Sequence, residues 1–315
     1  MLGKIKYENE HGFTLIEMLV AMALALFVMA SIFMTFKSQH DSYIVQTQVA
    51  VSLQNARAAM NMLTRDIQMA GFYANFDGAS YTMDWDNVDW EGDTSDDTMR
   101  ALILAKNNNA AGSNDGILDG TDLIVMVKAS QDLDDGRAFA AGETASGTTA
   151  SESLRDAGDL TTGMWVLFVK SDLSRSEFVQ VTNDTGAMDL SKTLEENYEE
   201  DDLIFRADYI IYYVNNSGSL MKQNLGNGGA AEAVADGIEN LQFRYVLSNG
   251  TVADSGFLGA LVRAVDVSLL ARTEATIRGF SDPNEYLIGD VVVPPGGSFR
   301  RKVLRATVKT RNIGL

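Results

Sequence analysis

One acidic side chain, Glu17, lies near the start of a long apolar stretch, HGFTLIEMLVAMALALFVMASIFMTF, which begins at His11 and ends at Phe36. An ionised carboxylate is costly in hydrocarbon, so such a residue usually has a function or an oppositely charged partner. No charged residue follows between Met18 and Phe36. As a helix that part would rise roughly 28 Å, close to the hydrocarbon thickness of a bilayer. The segment is therefore predicted to span a membrane, with one acid near its start.

Composition limits the other chemistry that the chain could carry out. The 315 residues include no cysteine and two histidines, so disulfides, cysteine- or histidine-bound zinc and a Ser-His-Asp triad are not expected. Asp115, Asp119 and Asp122 lie in the sequence NDGILDGTD, and carboxylate oxygens are good calcium ligands. Their spacing does not fit an EF-hand loop, and a turn leading into the next strand is the alternative interpretation. No cofactor is expected.

The net charge of −18 is unevenly distributed along the chain. Acids are dense from Asp77 to Asp97 and from Asp184 to Asp202, and none follows Asp290. Solvated loops and a charged strand face explain this pattern, and a polar contact surface between an acidic and a basic subunit face is the alternative. An acidic body argues against general nucleic-acid binding. The bases after Asp290 are Arg300, Arg301, Lys302, Arg305, Lys309 and Arg311.

A cleaved secretory signal explains the apolar stretch poorly. Such a signal needs a short apolar region followed by a cleavage site with small residues. Ala21-Met22-Ala23 has the right residues, but the apolar run continues beyond it to Phe36 and contains Glu17 before it.

The motif Gly12-Phe13-Thr14-Leu15-Ile16-Glu17, after a short polar leader and before the apolar run, resembles the class III signal of type IV prepilins and type II secretion pseudopilins. The resemblance implies that a membrane prepilin peptidase cuts after Gly12. Phe13 then becomes the N-methylated terminus of the mature chain, and Thr14 and Glu17 are implied to act in assembly.

Physical chemistry supports the role that this resemblance gives to Glu17. Cleavage before Phe13 would create an α-amine with an ordinary pKa of about 8, one helical turn from Glu17. In a filament of stacked helices, the carboxylate of one subunit could neutralise the amine of its neighbour. A buried pair adds little net stability but strongly penalises a wrong register. The alternative is a carboxylate that reaches the headgroups from the membrane edge.

Beyond Phe36 the helical pattern becomes amphipathic, because apolar residues recur at spacings of three and four. Gly71 is a stop signal behind them. We predict one helix from about Thr14 to Ala70, apolar all round in its first half, and Asp66 is among the polar residues between the apolar positions. A coiled coil is the alternative, but too few heptads are present. The stripe consists of Val45, Val49, Leu53, Ala56, Met60, Leu63, Ile67 and Ala70.

After the helix, the pattern predicts strands. Residues 71–98 are predicted to form a long acidic loop, in which Trp85 and Trp90 either pack on the body or anchor a partner. Residues 274–299 are predicted to form an inserted loop, and Asn215-Asn216-Ser217-Gly218 is predicted to be a hairpin turn. The predicted strands are Arg100–Ala105, Thr121–Val127, Met164–Val169, Glu177–Thr182, Asp208–Asn215, Ser219–Lys222, Ile238–Leu247, Leu261–Arg272 and Lys302–Arg311.

The sequence therefore predicts an α+β fold in which a long N-terminal helix packs on a largely antiparallel β-sheet body, built as one sheet or as two smaller ones. The expected parts are a leader over 1–12 and a membrane or filament-core half-helix over 13–36. An amphipathic half-helix over 37–71 and a β-rich globular pilin domain over 72–315 follow.

Later segments extend the resemblance. Arg65–Phe72, Asp236–Tyr245 and the end of the last strand at Arg311-Asn312 are similar to the corresponding parts of PilW-like minor pilins and J-type pseudopilins. The length of the body favours the PilW-like group. Many of its members have a cysteine shortly after the Ala-Gly-Phe of the helix end, where this chain has Tyr73-Ala74-Asn75. A disulfide-locked loop is therefore not expected.

The resemblance implies a non-enzymatic minor pilin precursor. It would be held in the inner membrane by one span with a periplasmic body, and would then join a type IV pilus at the cell surface, in a priming or tip complex that supports pilus biogenesis, adhesion or motility. Implied partners are the prepilin peptidase and other minor and major pilins. A J-like pseudopilin of a type II secretion system is one alternative, and a membrane-anchored secreted enzyme or binding protein is another.

Overall fold

The computed structural model describes residues 13–73, 81–82, 98–99, 103–106, 116–130, 136–157, 160–183, 185–254 and 262–313. The chain divides into two units between Gln48 and Val49. This division falls inside the long first helix, and the domain boundaries expected from the sequence remain predictions.

Helix α1, Leu15–Met69, is a continuous helix of 55 residues. It confirms the predicted helix from about Thr14 to Ala70. In the second unit its apolar stripe is buried from Ala56 to Ile67, as the periodicity predicts. Two polar residues, Ser52 and Asp66, are also buried on this helix. The periodicity does not predict their burial, because it counts only apolar side chains.

The remaining described elements are mostly strands. One short helix, α2, and one 3₁₀ turn at Leu225–Asn227 interrupt them. The bounds are β1 Tyr81–Thr82, β2 Thr98–Met99, β3 Ile103–Lys106, β4 Leu123–Ala129, β5 Gly136–Ala138, β6 Ala145–Ser146, β7 Thr149–Ala150, α2 Glu152–Ala157, β8 Trp165–Val169, β9 Ser176–Asn183, β10 Met188–Leu190, β11 Leu203–Val214, β12 Ser219–Asn224, β13 Glu232–Asp236, β14 Ile238–Leu247, β15 Val252–Ala253, β16 Val262–Arg272, β17 Tyr286–Ile288, β18 Val291–Val293 and β19 Arg301–Lys309.

The larger sheet has eleven strands, and its main path runs β13-β12-β11-β8-β9-β10-β7-β6. Its long central strand β11 pairs antiparallel with β4, β5, β8 and β12. The predicted hairpin turn joins β11 to β12, and the Asn215 carbonyl accepts a hydrogen bond from Gly218 N at 2.9 Å. Strand β4 is buried along its whole length, because it lies between β3 and β11 and its apolar side chains belong to the main core.

The smaller sheet has four antiparallel strands in the order β15-β14-β16-β19. Strand β19 alternates as predicted: Val308 is buried, whereas Arg305, Thr307 and Lys309 are exposed. The main core unites side chains of α1 with those of both sheets, and a second core lies around β8, β9 and β10. The predicted α+β fold with a largely antiparallel body is confirmed.

Two segments that the sequence assigns to loops contain strands. Residues 274–299 hold the β17–β18 hairpin, in which Leu287 is opposite Val292. Within 71–98, β1 pairs with β2, whose last residue is Met99. Both loop predictions were wrong in part, because strands of two or three residues are too short to show an alternating pattern. Trp85 and Trp90 lie outside the described residues.

Gly237 connects the two sheets between β13 and β14, and its φ of 77° lies in the left-handed region. A Cβ at this position would lie 2.7 Å from the Arg272 carbonyl oxygen. The Gly237 carbonyl accepts a hydrogen bond from Arg272 N at 2.8 Å, so the neighbouring backbone cannot move away freely. Only glycine fits this crossing, because any side chain would meet backbone atoms in an already strained conformation.

Gly237→Ala is expected to lower the free energy of unfolding by about 3 kcal/mol, since backbone strain and a steric clash add. Gly250→Ala is the matched control. Gly250 also has a positive φ, 83°, but nothing lies within 4 Å of the position that its Cβ would take, so a loss of about 1 kcal/mol is expected. Urea unfolding of the detergent-solubilised full chain measures the loss of unfolding free energy in both variants. Equal losses would contradict the steric argument.

Candidate assembly site on the N-terminal helix

Thr14 and Glu17 form a reciprocal cap at the start of α1. The Thr14 backbone N–H and hydroxyl both donate to Glu17 Oε2 at 2.9 Å. The Glu17 backbone N–H donates to Thr14 Oγ1 at 3.3 Å. This is the capping-box arrangement, in which a threonine before the helix and a glutamate in its first turn satisfy each other's backbone donors.

The cap gives the two predicted assembly residues a local role that the sequence interpretation missed. The signal was present as Thr14-Leu15-Ile16-Glu17, a threonine followed three residues later by glutamate ahead of an apolar run. Both bonds from Thr14 end on one carboxylate oxygen, Oε2, and a carboxylate has roughly four acceptor positions. Glu17 can therefore cap its own helix and still accept a hydrogen bond from a donor on another molecule.

The apolar half of α1 is exposed from end to end. Phe13 is 88% exposed and Phe36 is 68% exposed. α1 is the one helix among the described residues that is long and apolar enough to cross a membrane. Its hydroxyl groups are satisfied within the helix, because Ser31 donates to Phe27 O and Thr35 donates to Ser31 O, each at 3.0 Å. These two hydroxyls therefore need no partner from an apolar environment.

At the other end of α1, Asp66 holds the helix to the β11–β12 hairpin. Tyr212 and Lys222 are directly opposite each other on these two strands. The Tyr212 hydroxyl donates to Asp66 Oδ2 at 2.6 Å, and Lys222 Nζ lies 2.8 Å from the same oxygen. Burial and the neighbouring Asp66 charge raise the pKa of Tyr212 well above its ordinary value. Tyr212 therefore stays a neutral donor throughout the working pH range.

The residues that follow Asp66 end the helix against β4. Gly71 has a φ of 78°, which turns the chain, and its N–H donates to Val127 O at 2.8 Å. Ala129 N donates to Phe72 O at 2.9 Å. The stretch Arg65–Phe72, which carries part of the resemblance, thus contains the contacts that attach the helix end to the larger sheet.

A second resembling stretch, Asp236–Tyr245, holds the smaller sheet in place. Glu239 accepts two hydrogen bonds from Arg301, each at 2.7 Å, and this pairing links β14 to β19. On the other side, Phe243 N donates to Asp122 Oδ2 at 2.8 Å and Asp122 N donates to Leu241 O at 2.9 Å. These bonds join β14 to the chain that enters β4, and so connect the two sheets.

The calcium candidates are only partly described. Asp122 is 1% exposed and its carboxylate receives the Phe243 N–H. Asp119 is exposed, and Asp115 lies outside the described residues. Among the residues that the structure does describe, no group of three acidic or histidine side chains could hold a metal ion. Asp122 thus has a structural role, and calcium binding stays a hypothesis.

Comparisons with known proteins agree with these features. A family model described as Type IV Pilus-assembly protein W matches residues 209–312, and a prokaryotic N-terminal methylation motif matches residues 8–33. The two matches thus lie at the N-terminal helix and in the last third of the chain. The PilW match begins in β11 and includes Tyr212, Lys222, Gly237 and Glu239, so it covers some of the residues that hold α1 and connect the two sheets.

Comparison of the chain with curated proteins and with solved structures gives weaker similarity than the family models do. No curated protein matches the chain. Among solved structures, a chain of the GspK-GspI-GspJ complex from the enterotoxigenic Escherichia coli Type 2 Secretion System is 8% identical. That alignment covers 80% of this chain and 96% of the other, with a TM-score of 0.32. A TM-score this low does not establish a shared fold.

The structure describes only some of the residues at the predicted processing site. Gly12 lies outside the described residues, whereas Phe13 and Thr14 are described and immediately precede the helix. Cleavage after Gly12 and methylation of Phe13 therefore remain predictions.

The contacts of Asp66 predict a measurable coupling with Tyr212. Tyr212→Phe is expected to cost about 2 kcal/mol of unfolding free energy, because it removes a hydrogen bond to a buried charged group. Asp66→Asn is expected to cost about 3 kcal/mol, since it leaves the Lys222 ammonium without its carboxylate. The double variant should lose less than the sum of these two values.

A double-mutant cycle from urea unfolding of the full chain in detergent measures this coupling. Arg65→Ala is the matched control on the exposed side of the same helix turn, and it should change stability by less than about 0.5 kcal/mol. Strictly additive losses for Asp66 and Tyr212 would contradict the proposed contact.

Proposed function

We propose that this chain is a minor pilin precursor that is cut after Gly12 and built into a type IV pilus. One observation carries the proposal. The methylation motif over 8–33 leads into the exposed apolar half of a single helix, whose buried half belongs to a body that matches a pilus-assembly family. A chain with this order of features can be anchored first and assembled afterwards.

The exposed apolar half-helix needs a nonaqueous environment in both states. Before assembly, a bilayer would surround it, with the body on the periplasmic side of the inner membrane. After assembly, the helices of neighbouring major and minor pilins would take the place of lipid. Because lipid and helix surfaces are equally apolar, helix packing and polar contacts must then supply the association.

Glu17 is the polar contact that we assign to this step. Cleavage would leave a charged amine on Phe13, next to the Thr14–Glu17 cap. The free acceptor capacity of the carboxylate would allow it to receive the amine of a neighbouring subunit. The pair would penalise misregistered stacking, because a shift of one subunit would leave two charges without partners in an apolar core.

In this proposal the protein is a structural subunit rather than an enzyme, and its place is a priming or tip complex that supports pilus biogenesis, adhesion or motility. Its partners are the prepilin peptidase and other pilins. The match to a pilus-assembly family supports this function over that of a secretion pseudopilin.

N-terminal mass spectrometry of the membrane-extracted protein tests the processing step. The expected mature chain begins with N-methylated Phe13. Deletion of the prepilin peptidase is the control and should leave the leader attached. An intact Met1 in peptidase-positive cells, or a cut after Ala23, would contradict the proposal.

Two substitutions separate the charge of Glu17 from its capping role. Glu17→Gln keeps a side chain that can complete a capping box but removes the charge, and incorporation into sheared pili should fall by about tenfold. Thr14→Ala removes the cap but keeps the charge, so incorporation should fall much less. Immunoblots of sheared pili measure incorporation, with membrane levels as the control. Normal incorporation of Glu17→Gln would rule out the charge pairing.

A further inference from the structure

Each of the two sheets ends in a strand that is longer than the strand at its opposite end, and the two longer edges differ in charge. Strand β19 is the last strand of the smaller sheet, and β13 is one of the edge strands of the larger sheet, whose branch at β11 also leaves the 4-residue strand β3 paired on one side. Strands β19 and β13 have 9 and 5 residues, respectively. By contrast β6 and β15, at the opposite ends of the two sheet paths, have 2 residues each. Short edges resist pairing with other chains, whereas longer edges offer a row of backbone donors and acceptors.

The basic edge is β19. Its sequence, RKVLRATVK, contains four bases and no acid, and Lys302, Arg305 and Lys309 are exposed. One side of its backbone is paired with β16 from Arg301 to Lys309. In the part of the chain that the structure describes, no strand pairs with the other side.

The acidic edge is β13. Its sequence, EAVAD, contains two acids and no base, and Glu232, Ala233 and Asp236 are exposed. One side of its backbone is paired with β12, and within the described ranges no strand pairs with the other. Asp236 accepts a hydrogen bond from Ser219 at 2.6 Å, so its carboxylate is held at this edge.

We propose that β19 of one copy of this chain pairs with β13 of a second copy. Main-chain hydrogen bonds would supply affinity, as in other cases of strand addition to a sheet edge. The charges would supply specificity, because a basic edge attracts an acidic one, while two identical edges repel each other. Lysines on an edge strand also protect against unselective pairing, and that protection does not act against an acidic strand.

The contact is heterologous, since it joins two different surfaces. Such contacts leave one basic and one acidic edge free at the ends of every open assembly, and they form rings or open filaments instead of closed dimers. This inference goes beyond the proposed pilus function. It concerns the β-rich body alone, and its test does not depend on leader cleavage or on Glu17.

Site-specific cross-linking tests the pairing cleanly, because the chain has no cysteine of its own. Ala233→Cys places a thiol on β13, and Thr307→Cys and Lys302→Cys place thiols at two positions along β19. All three side chains are exposed. Detergent-solubilised full chains are mixed in pairs, treated with oxidant or with a short bismaleimide, and separated under denaturing conditions.

The expected result is a cross-linked dimer when the Ala233→Cys chain is mixed with the Thr307→Cys chain, less product with Lys302→Cys, whose side chain faces the other side of β19, and little product from any variant alone. A chain with Ala233→Cys and Thr307→Cys together should give a ladder of larger products. No cross-link in either mixture would overturn the proposal. Equal cross-linking of each variant with itself would also overturn it, because that result indicates unselective contact.

Charge reversal provides the matched control. Arg305→Glu with Lys309→Glu on the Thr307→Cys chain should lower the yield by about tenfold, because attractive cross-strand pairs become repulsive. Glu232→Lys with Asp236→Lys on the Ala233→Cys chain should restore it. Thermal unfolding verifies that each variant is folded. A yield that is indifferent to these charges would contradict the charge-based specificity.

Discussion

The buried carboxylate of Asp66 is the contact on which the arrangement of the body depends. It is 8% exposed, and a carboxylate at that depth is stable only when its charge and acceptor positions are satisfied. Tyr212 donates a hydrogen bond to this carboxylate and Lys222 forms an ion pair with it, each from one of two neighbouring strands. Because both come from the β11–β12 hairpin, the position of the buried part of α1 along that hairpin is set by a short-range polar contact, and apolar packing then completes the interface.

The same helix has to meet two different requirements along its length. Its first half has exposed apolar side chains on every face, and the hydroxyls of Ser31 and Thr35 are bonded within the helix. Its second half has one buried face that contributes to the main core. The reciprocal cap between Thr14 and Glu17 begins this helix, and Gly71 ends it. The same helix is therefore exposed on every face in its first half and contributes one face to the main core in its second half.

The body is built from two sheets whose connection is polar as well as apolar. Gly237 carries the chain from one sheet to the other, and Asp122 bonds the backbone of β14. The Glu239–Arg301 pair then fixes the last strand, β19. Since β19 and β13 end their sheets with opposite charges, the connection that completes the fold also determines which edges remain available to another subunit.

Much of this protein was determined by sequence patterns that act locally. The apolar run before Phe36, the three-and-four spacing up to Ala70 and the alternation in β19 predicted their elements correctly, because helix and strand periods are short-range properties. The motif from Gly12 to Glu17 predicted the match to an N-terminal methylation motif over residues 8–33 in the same way. Tertiary structure alone decided that Asp66 is buried, that Asp122 bonds a backbone N–H instead of standing in an open turn, and that β13 and β19 are sheet edges. Each of these features depends on contacts between residues more than a hundred positions apart, or on which strand lies at the edge of its sheet. Short-range sequence periodicity contains no information about either.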